Sequence, residues 1–393
     1  MKKILGITGT RADYDLLSSL YRKLRDSPSF DLKLIVGGAH MSSAYGHSID
    51  LIRDDQIDIL MSIESLIDGD SISSRLKSAS IFLSSIIDTV ANWKPDLILY
   101  AGDREEVWIG ALLGSYLDIP TIHFYGGDHT QSGYVDNPIR HATSKLSSAH
   151  FVSTEEHKSR LMAIGEDESR IFVTGSLALD NFVNTPLLNI DEVNNELNTS
   201  LTKKSYAIVL FHPILIELGS SVQYMKNIIE AARKKGIFLC IGYPNSDPAN
   251  KGIVEVIESY RSNCEVYIYK NLRRDIFLSL YKHAAFIIGN SSSGVIEAAS
   301  IPIPAIDVGD RQKGRAAGIN VISCSGDIDR ISAAIDEALS DDFRYKIESI
   351  SNPYGNGSGV EQAYNLISEI DFRKLVMKRE DPLKLAKDSH GGK

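Results

Sequence analysis

Serines, arginines and carboxylates gather in this sequence where short apolar runs end. From Ile287 to Arg315 it reads IIGNSSSGVIEAASIPIPAIDVGDRQKGR. An apolar run enters the turn Asn290, Ser291, Ser292, Ser293, Gly294, and a helix is predicted to follow. Free backbone N–H groups and hydroxyls then collect at a helix N-terminus, where hydrogen bonding and the dipole both favour a phosphate. A second run, Ile303 to Val308, delivers Asp310, Arg311, Gln312, Lys313 and Arg315, whose guanidinium forks suit the same anion. The pattern fits a grip for a diphosphate and its nucleoside. The plainer alternative is a capped helix followed by a basic surface loop.

The first half carries a second set. GTRADY places Arg11 where the first apolar run ends, and GDREE places Asp103 and Arg104 after the fourth. Asp103 has an alternative use as a helix cap, with Glu106 as its reciprocal partner. HFYGGDH brings Asp128 behind two glycines that let backbone approach a ligand closely. VDNPIRH follows, where Asp136 and Arg140 stand four apart and are equally readable as a helix-face ion pair. Asp103, Asp128 and Asp136 together form a carboxylate set able to supply both a base and an acid. In the second half, His212 precedes Pro213 at the end of an apolar run, and Asn245 lies in the polar loop YPNSD. The ten histidines show no H-x-H or H-x-x-x-H spacing, so no metal site is predicted.

Positioning such residues requires strands that end in loops. Short apolar runs alternate with amphipathic segments: Ile4 to Thr8, Leu32 to Val36, Ile57 to Met61, Leu97 to Tyr100, Thr121 to Phe124, Ala149 to Val152 and Ile171 to Thr174. A polar stretch from about Asn181 to Lys204 interrupts the rhythm, which restarts with Tyr206 to Phe211, Ile237 to Ile241, Val266 to Tyr269, Ala285 to Ile288 and Ile303 to Ile306. This predicts an α/β chain of two doubly wound parallel sheets, with candidate residues at strand C-terminal ends around a cleft. The expected spans are 1–180, 181–370 and a final segment 371–393 that crosses back to the first domain and frays at its tip.

Length and composition set limits. At 393 residues two domains are expected, each able to bury its own core. The net charge of -9 offers no face for nucleic acid. Three cysteines without C-x-x-C spacing suggest neither a disulfide framework nor zinc. No apolar run reaches the length of a membrane span and Met1-Lys2-Lys3 leads straight into ILGIT, so a cytoplasmic location is expected. No G-x-G-x-x-G or Walker lysine loop follows a strand, which disfavours nicotinamide and ATP chemistry.

In their order, GTRADY, GDRE, HFYGGD, VDNPIRHA, FHP, IGNSSSGVIE and GDRQKGR resemble the motifs of the hydrolysing UDP-N-acetylglucosamine 2-epimerases of sialic acid biosynthesis. The resemblance covers about Met1 to Ile370 and implies the GT-B fold, two Rossmann-like domains with the nucleotide sugar in the cleft. It assigns Arg11, Arg104, His212, Ser291, Ser292, Glu297, Arg311 and Arg315 to the nucleotide diphosphate or its ribose, and Asn245 to a nucleotide-site loop. The neighbouring Asn290, Ser293, Gly294 and Arg140 are expected to share in substrate binding. Asp103 and Asp136 match catalytic carboxylates, and Asp128 and His212 join them as catalytic candidates. Asp128 stands where better-known members carry Glu in a GGE motif, and Asp15 where they carry a small residue. These departures leave the sugar and the identity of the base open.

The chemistry implied is loss of UDP from C1 as the C2 proton is removed, giving a 2-acetamidoglucal, followed by hydration to free N-acetylmannosamine. Neither metal nor cofactor is needed, and a homo-oligomer is expected from the resemblance alone. Two alternatives stay open within nucleotide-sugar enzymes: the same chemistry on UDP-N,N'-diacetylbacillosamine, and a GT-B glycosyltransferase, which would need an acceptor site and no carboxylate cluster. A non-catalytic nucleotide-sugar sensor would share the diphosphate grip alone.

Overall fold

The computed structural model of the chain describes all residues except 70, 132–134, 214–217, 245–249 and 384–393. Over the described residues the chain divides into two compact units, Met1–His129 with Val135–Asn181 and Tyr354–Lys393, and Thr130–Tyr134 with Phe182–Pro353. Each unit is built on one parallel sheet.

In the first unit the strands are β1 (Lys2–Thr8), β2 (Phe30–Val36), β3 (Ile59–Ser62), β4 (Leu97–Ala101), β5 (Thr121–Phe124), β6 (Ala149–Val152) and β7 (Ile171–Val173), in the order β3-β2-β1-β4-β5-β6-β7. Near-continuous apolar runs form these strands because both faces are covered. Alternation along β1 sends Ile4 to one core with Leu34, Val36, Leu97 and Leu99, and Leu5 and Ile7 to another with Ile35, Ile98 and Tyr100.

The second unit repeats the plan with β8 (Tyr206–Leu210), β9 (Phe238–Gly242), β10 (Val266–Tyr269), β11 (Phe286–Gly289), β12 (Ala305–Val308) and β13 (Val321–Cys324), ordered β10-β9-β8-β11-β12-β13. Ala207 and Val209 face one core, Tyr206 and Ile208 the other. Strand β13, a short run between Gly318 and Gly326, was not anticipated. In both units the strand order reverses beside the first strand, the switch point where loops from neighbouring strand ends diverge and leave room for a ligand. The two units are the pair of Rossmann-like domains that make up the GT-B fold. No described helix is long and apolar enough to cross a membrane.

One expected boundary moves. The helix Gly359–Glu369, expected within 181–370, belongs to the first unit. Its stripe Val360, Ala363 and Ile367 enters the core that holds Ile4, Leu17 and Leu20, packing on the helix Arg11–Arg25. Polar contacts fix the register: the Val360 N–H donates to Asp180 at 3.2 Å, Tyr364 to Ser27 at 2.9 Å, and Lys2 to the Ile367 carbonyl at 3.2 Å. The return to the first unit thus begins at Tyr354, earlier than the expected 371.

The chain beyond this helix is held by a buried ionic cluster. Arg170 donates to the carbonyls of Leu375 and Met377 and pairs with Glu380. Glu166, its side chain 1% exposed, accepts from His150 at 2.8 Å and Lys378 at 2.5 Å and lies 2.7 Å from Lys145. Burial alone would raise the Glu166 pKa, but the His150 hydrogen bond and the lysine ammoniums outweigh it and hold the carboxyl down to about 2. Burial also lowers Lys378 to about 8, against the pull of Glu166. A carboxyl depressed in the folded state stabilises fully above its unfolded value of 4.5 and loses that contribution as pH falls towards 2. Glu166→Gln is therefore expected to destabilise the protein by about 3 kcal/mol at neutral pH. In chemical denaturation at a series of pH values, the gap to the wild type should close as pH falls from 4.5 towards 2.

Candidate active site

The order β1-β4-β5 places three loops of the first unit side by side. After β1, Thr10 caps the helix Arg11–Arg25, its hydroxyl accepting from the Asp13 N–H, and Arg11 pairs with Asp15 at 3.2 Å. After β4, Gly102 turns the chain with φ +95°, a conformation that favours glycine. Asp103 follows and does not cap the next helix: the cap position of Glu105–Tyr116 belongs to Arg104, which makes no side-chain cap bond. The Asp103 carboxylate instead accepts from Arg140.

Arg140 is the hub of this cluster. Its side chain is 3% exposed. One terminal nitrogen meets Asp103 and lies 3.9 Å from the Asp128 carboxylate; the other donates to the Asp128 carbonyl at 2.9 Å and to Asn137 at 3.3 Å. His157 Nε2 is 3.7 Å from Asp128 on its other side. Asp136, at the start of the helix Asp136–Leu146, lies 3.9 Å from Arg75, which pairs with Glu105. Two of the three expected carboxylates therefore share one guanidinium, and another arginine stands beside the third. Arg140, expected to touch substrate, is buried against the carboxylates.

Asp13 and Glu106 add a second acidic pair that sequence reasoning did not single out for chemistry. Asp13 accepts from the Gly9 N–H at 2.8 Å and from the Thr8 and Thr10 hydroxyls. Burial, then the neighbouring Glu106, raises its pKa to about 7. The Glu106 carboxyl is also pushed up by burial, opposed by Arg104. It sits against Gly9 and Gly38, where an added Cβ would lie 2.4 and 2.8 Å from its atoms. Only small residues at both strand ends leave it room.

In the second unit, β11 ends at Gly289 with φ +146°, where a Cβ would lie 2.0 Å from the Leu210 carbonyl. The Asn290 side chain accepts from the His212 N–H at 2.7 Å and donates to the His212 carbonyl at 2.8 Å. This amide, expected on the nucleotide, is thus engaged in locking the ends of β8 and β11 together. Ser291 caps a helix of five residues, Ser292–Ile296, shorter than the sequence suggests because a single 3-10 turn, Ala298–Ser300, follows before Pro302. Ser293 donates to Glu297, and Gly294 lies within the short helix. Arg311 and Gln312 both donate to the Asn290 carbonyl, at 2.9 and 2.7 Å, and the Arg315 N–H reaches the Gln312 carbonyl at 3.1 Å. The serine turn and the basic loop are therefore one bonded assembly. Asn245 lies outside the described residues.

With this geometry established, comparison with known proteins is informative. The family model described as UDP-N-acetylglucosamine 2-epimerase matches residues 22–368. The chain belongs to this family. It is 34% identical over 379 residues to the UDP-N,N'-diacetylbacillosamine 2-epimerase (hydrolyzing) of Legionella pneumophila, covering 96% of this chain and 99% of that one. It is also 34% identical over 382 residues to the polysialic acid biosynthesis protein P7 of Escherichia coli, covering 94% of each. A crystal structure of the Neisseria meningitidis UDP-GlcNAc 2-epimerase bound to UDP-GlcNAc superposes with a TM-score of 0.78 at 19% identity, over 94% of this chain and all of that one. At that identity it speaks for the fold alone.

Arg75, Gln312 and Glu106 were missed for different reasons. Arg75 stands in a long helix, Ile72–Trp93, with no local mark of its partners. Gln312 was noted only as one of a basic group, and Glu106 only as half of a capping box. The Asn290 lock gives a direct test. Asn290→Ala should lower unfolding stability by about 1–3 kcal/mol, since two hydrogen bonds between the buried Asn290 amide and the half-buried His212 main chain are lost. An unchanged denaturation midpoint would show that the lock contributes nothing.

Proposed function

We propose that this chain is a hydrolysing nucleotide-sugar 2-epimerase that converts UDP-N-acetylglucosamine and water to N-acetylmannosamine and UDP. The observation that carries this reading is the carboxylate cluster at the strand ends of the first unit, organised around Arg140, in a chain of this family. A nucleotide-binding protein or a glycosyltransferase needs a diphosphate grip. Neither needs Asp103, Asp128 and Asp136.

The C2 proton of an N-acetylhexosamine is weakly acidic, so its removal is eased when UDP departs from C1 in the same elimination. Stabilising the leaving diphosphate then matters most, and oriented cations and N–H groups do this best where water is excluded. Arg11, Arg104, His212, Ser291, Ser292, Glu297, Arg311 and Arg315 are proposed to hold the nucleotide diphosphate or its ribose. One carboxylate takes the C2 proton; a second activates water at C1 and manages protonation of the opposite face of the glycal. Buried Arg140 orients the carboxylates and is not itself a substrate ligand in this reading.

A second substrate is supported by the Legionella pneumophila relative, which acts on UDP-N,N'-diacetylbacillosamine. Asp128, one methylene shorter than the family's usual Glu, is the position where a different sugar would be accommodated. Either product would enter nonulosonic acid synthesis, in keeping with the Escherichia coli relative's role in polysialic acid biosynthesis.

The decisive experiment supplies each UDP-sugar alone, in deuterated and in oxygen-18 water. Free sugar carrying deuterium at C2 and oxygen-18 at C1, with unlabelled UDP, is expected. Oxygen-18 on the UDP phosphate would mean attack at phosphorus and would overturn the elimination. The two halves of the machinery should also fail differently. Arg311→Ala is expected to raise KM by roughly tenfold to a hundredfold through loss of a charge-assisted contact. Asp103→Asn should lower kcat by about a hundredfold with KM little changed. Steady-state kinetics on both variants, with melting curves in parallel, separates these effects from misfolding.

A further inference from the structure

His123 is fully buried in the middle of β5, and no step above uses it. Its Nε2 lies 2.8 Å from the Gly102 carbonyl and its Nδ1 3.0 Å from the Ser144 hydroxyl. A carbonyl only accepts, so Nε2 carries the hydrogen, and Nδ1 of the neutral ring shares the single Ser144 hydroxyl hydrogen with the Arg140 carbonyl, 3.1 Å away. Burial, opposed by the Gly102 hydrogen bond and helped by His150, His141 and Lys378, lowers the ring pKa to about 3, which keeps the ring neutral across ordinary working pH. Gly126 makes room for the ring: a Cβ there would stand 3.1 Å from both Nδ1 and the Ser144 oxygen.

Both partners of the ring bear on the carboxylate cluster. The Gly102 carbonyl belongs to the peptide that leads into Asp103, and the Gly102 N–H is already held by Phe124 at 3.1 Å. With both groups fixed, the direction in which Asp103 leaves the turn is fixed too. Ser144 lies one helical turn beyond Arg140 on the helix Asp136–Leu146. The imidazole is therefore a spacer of set length between the peptide carrying Asp103 and the helix carrying its guanidinium partner. A buried apolar side chain would fill the same space without the desolvation that a histidine demands.

The geometry points to His123 as a positioning residue for the 2-epimerase reaction, fixing Asp103 against Arg140 through the Gly102 carbonyl. The inference rests on the function proposed above. Its test uses two polar replacements that differ in reach. The amide nitrogen of glutamine overlies Nε2 and can still serve Gly102; that of asparagine overlies Nδ1 and cannot.

His123→Asn is expected to lose at least about tenfold in kcat while KM and UDP affinity stay within about twofold, because sub-ångström placement of a reacting carboxylate controls the chemical step. His123→Gln should recover turnover to within about threefold of the wild type by restoring the anchor. Equal kcat in the two variants, or failure of both to fold, would overturn the inference, since the ring would then serve packing alone. A wild type inert on every 2-acetamido UDP-sugar would refute the proposed function instead. The crystal structure of His123→Asn then decides: a rotated Gly102–Asp103 peptide with Asp103 off Arg140 supports the anchor, and an unmoved one overturns it.

Discussion

A guanidinium buried to 3% exposure cannot stand alone, and the first unit is arranged around meeting the needs of Arg140. An unpaired charge at such a site would cost several kcal/mol, so its partners are as constrained as it is. Asp103 supplies a carboxylate from the end of β4, and Asp128 a carbonyl and a second carboxylate from beyond β5. The same demand that stabilises the buried cation fixes where the two carboxylates proposed to react lie. In the proposed reaction, geometry and local stability are one requirement.

The second unit achieves rigidity around a neutral amide. Asn290 bridges β8 and β11 through the main chain of His212, and its own carbonyl accepts from Arg311 and Gln312. Gly289 permits this because the Leu210 carbonyl occupies the space where a Cβ would stand. The result is a small-residue turn whose hydroxyls and N–H groups are set before any ligand arrives. Preorganisation of this kind is what makes an anion site effective, since little reorganisation remains when charge develops.

The C-terminal part of the chain shows ionic and apolar terms acting together. Val360, Ala363 and Ile367 seat their helix by burying an apolar stripe on the first unit, an undirected preference. Arg170 and Glu166 then give the following segment its particular path by engaging named carbonyls and the Lys378 ammonium. Glu166 remains ionised despite burial because three donors surround it.

The sequence by itself determined every strand but β13, the division into two parallel sheets and the loops that hold the candidate residues, because buried parallel strands are local apolar runs with turn-marked ends. Family motifs named Asp103, Asp128, Asp136 and Arg311 in the same way, since each sits in a contiguous signature. Partnership was not local. That Arg140 would serve Asp103 and Asp128, that Arg75 would stand 3.9 Å from Asp136, and that Asn290 would bind His212 depend on the tertiary fold, which brings residues from 12 to 78 positions apart into contact. The helix Gly359–Glu369 carries an apolar stripe legible in the sequence, but a stripe does not say which core will receive it. Only the tertiary structure decided these pairings, because burial energy is blind to identity whereas hydrogen bonds require a specific partner within about 3 Å.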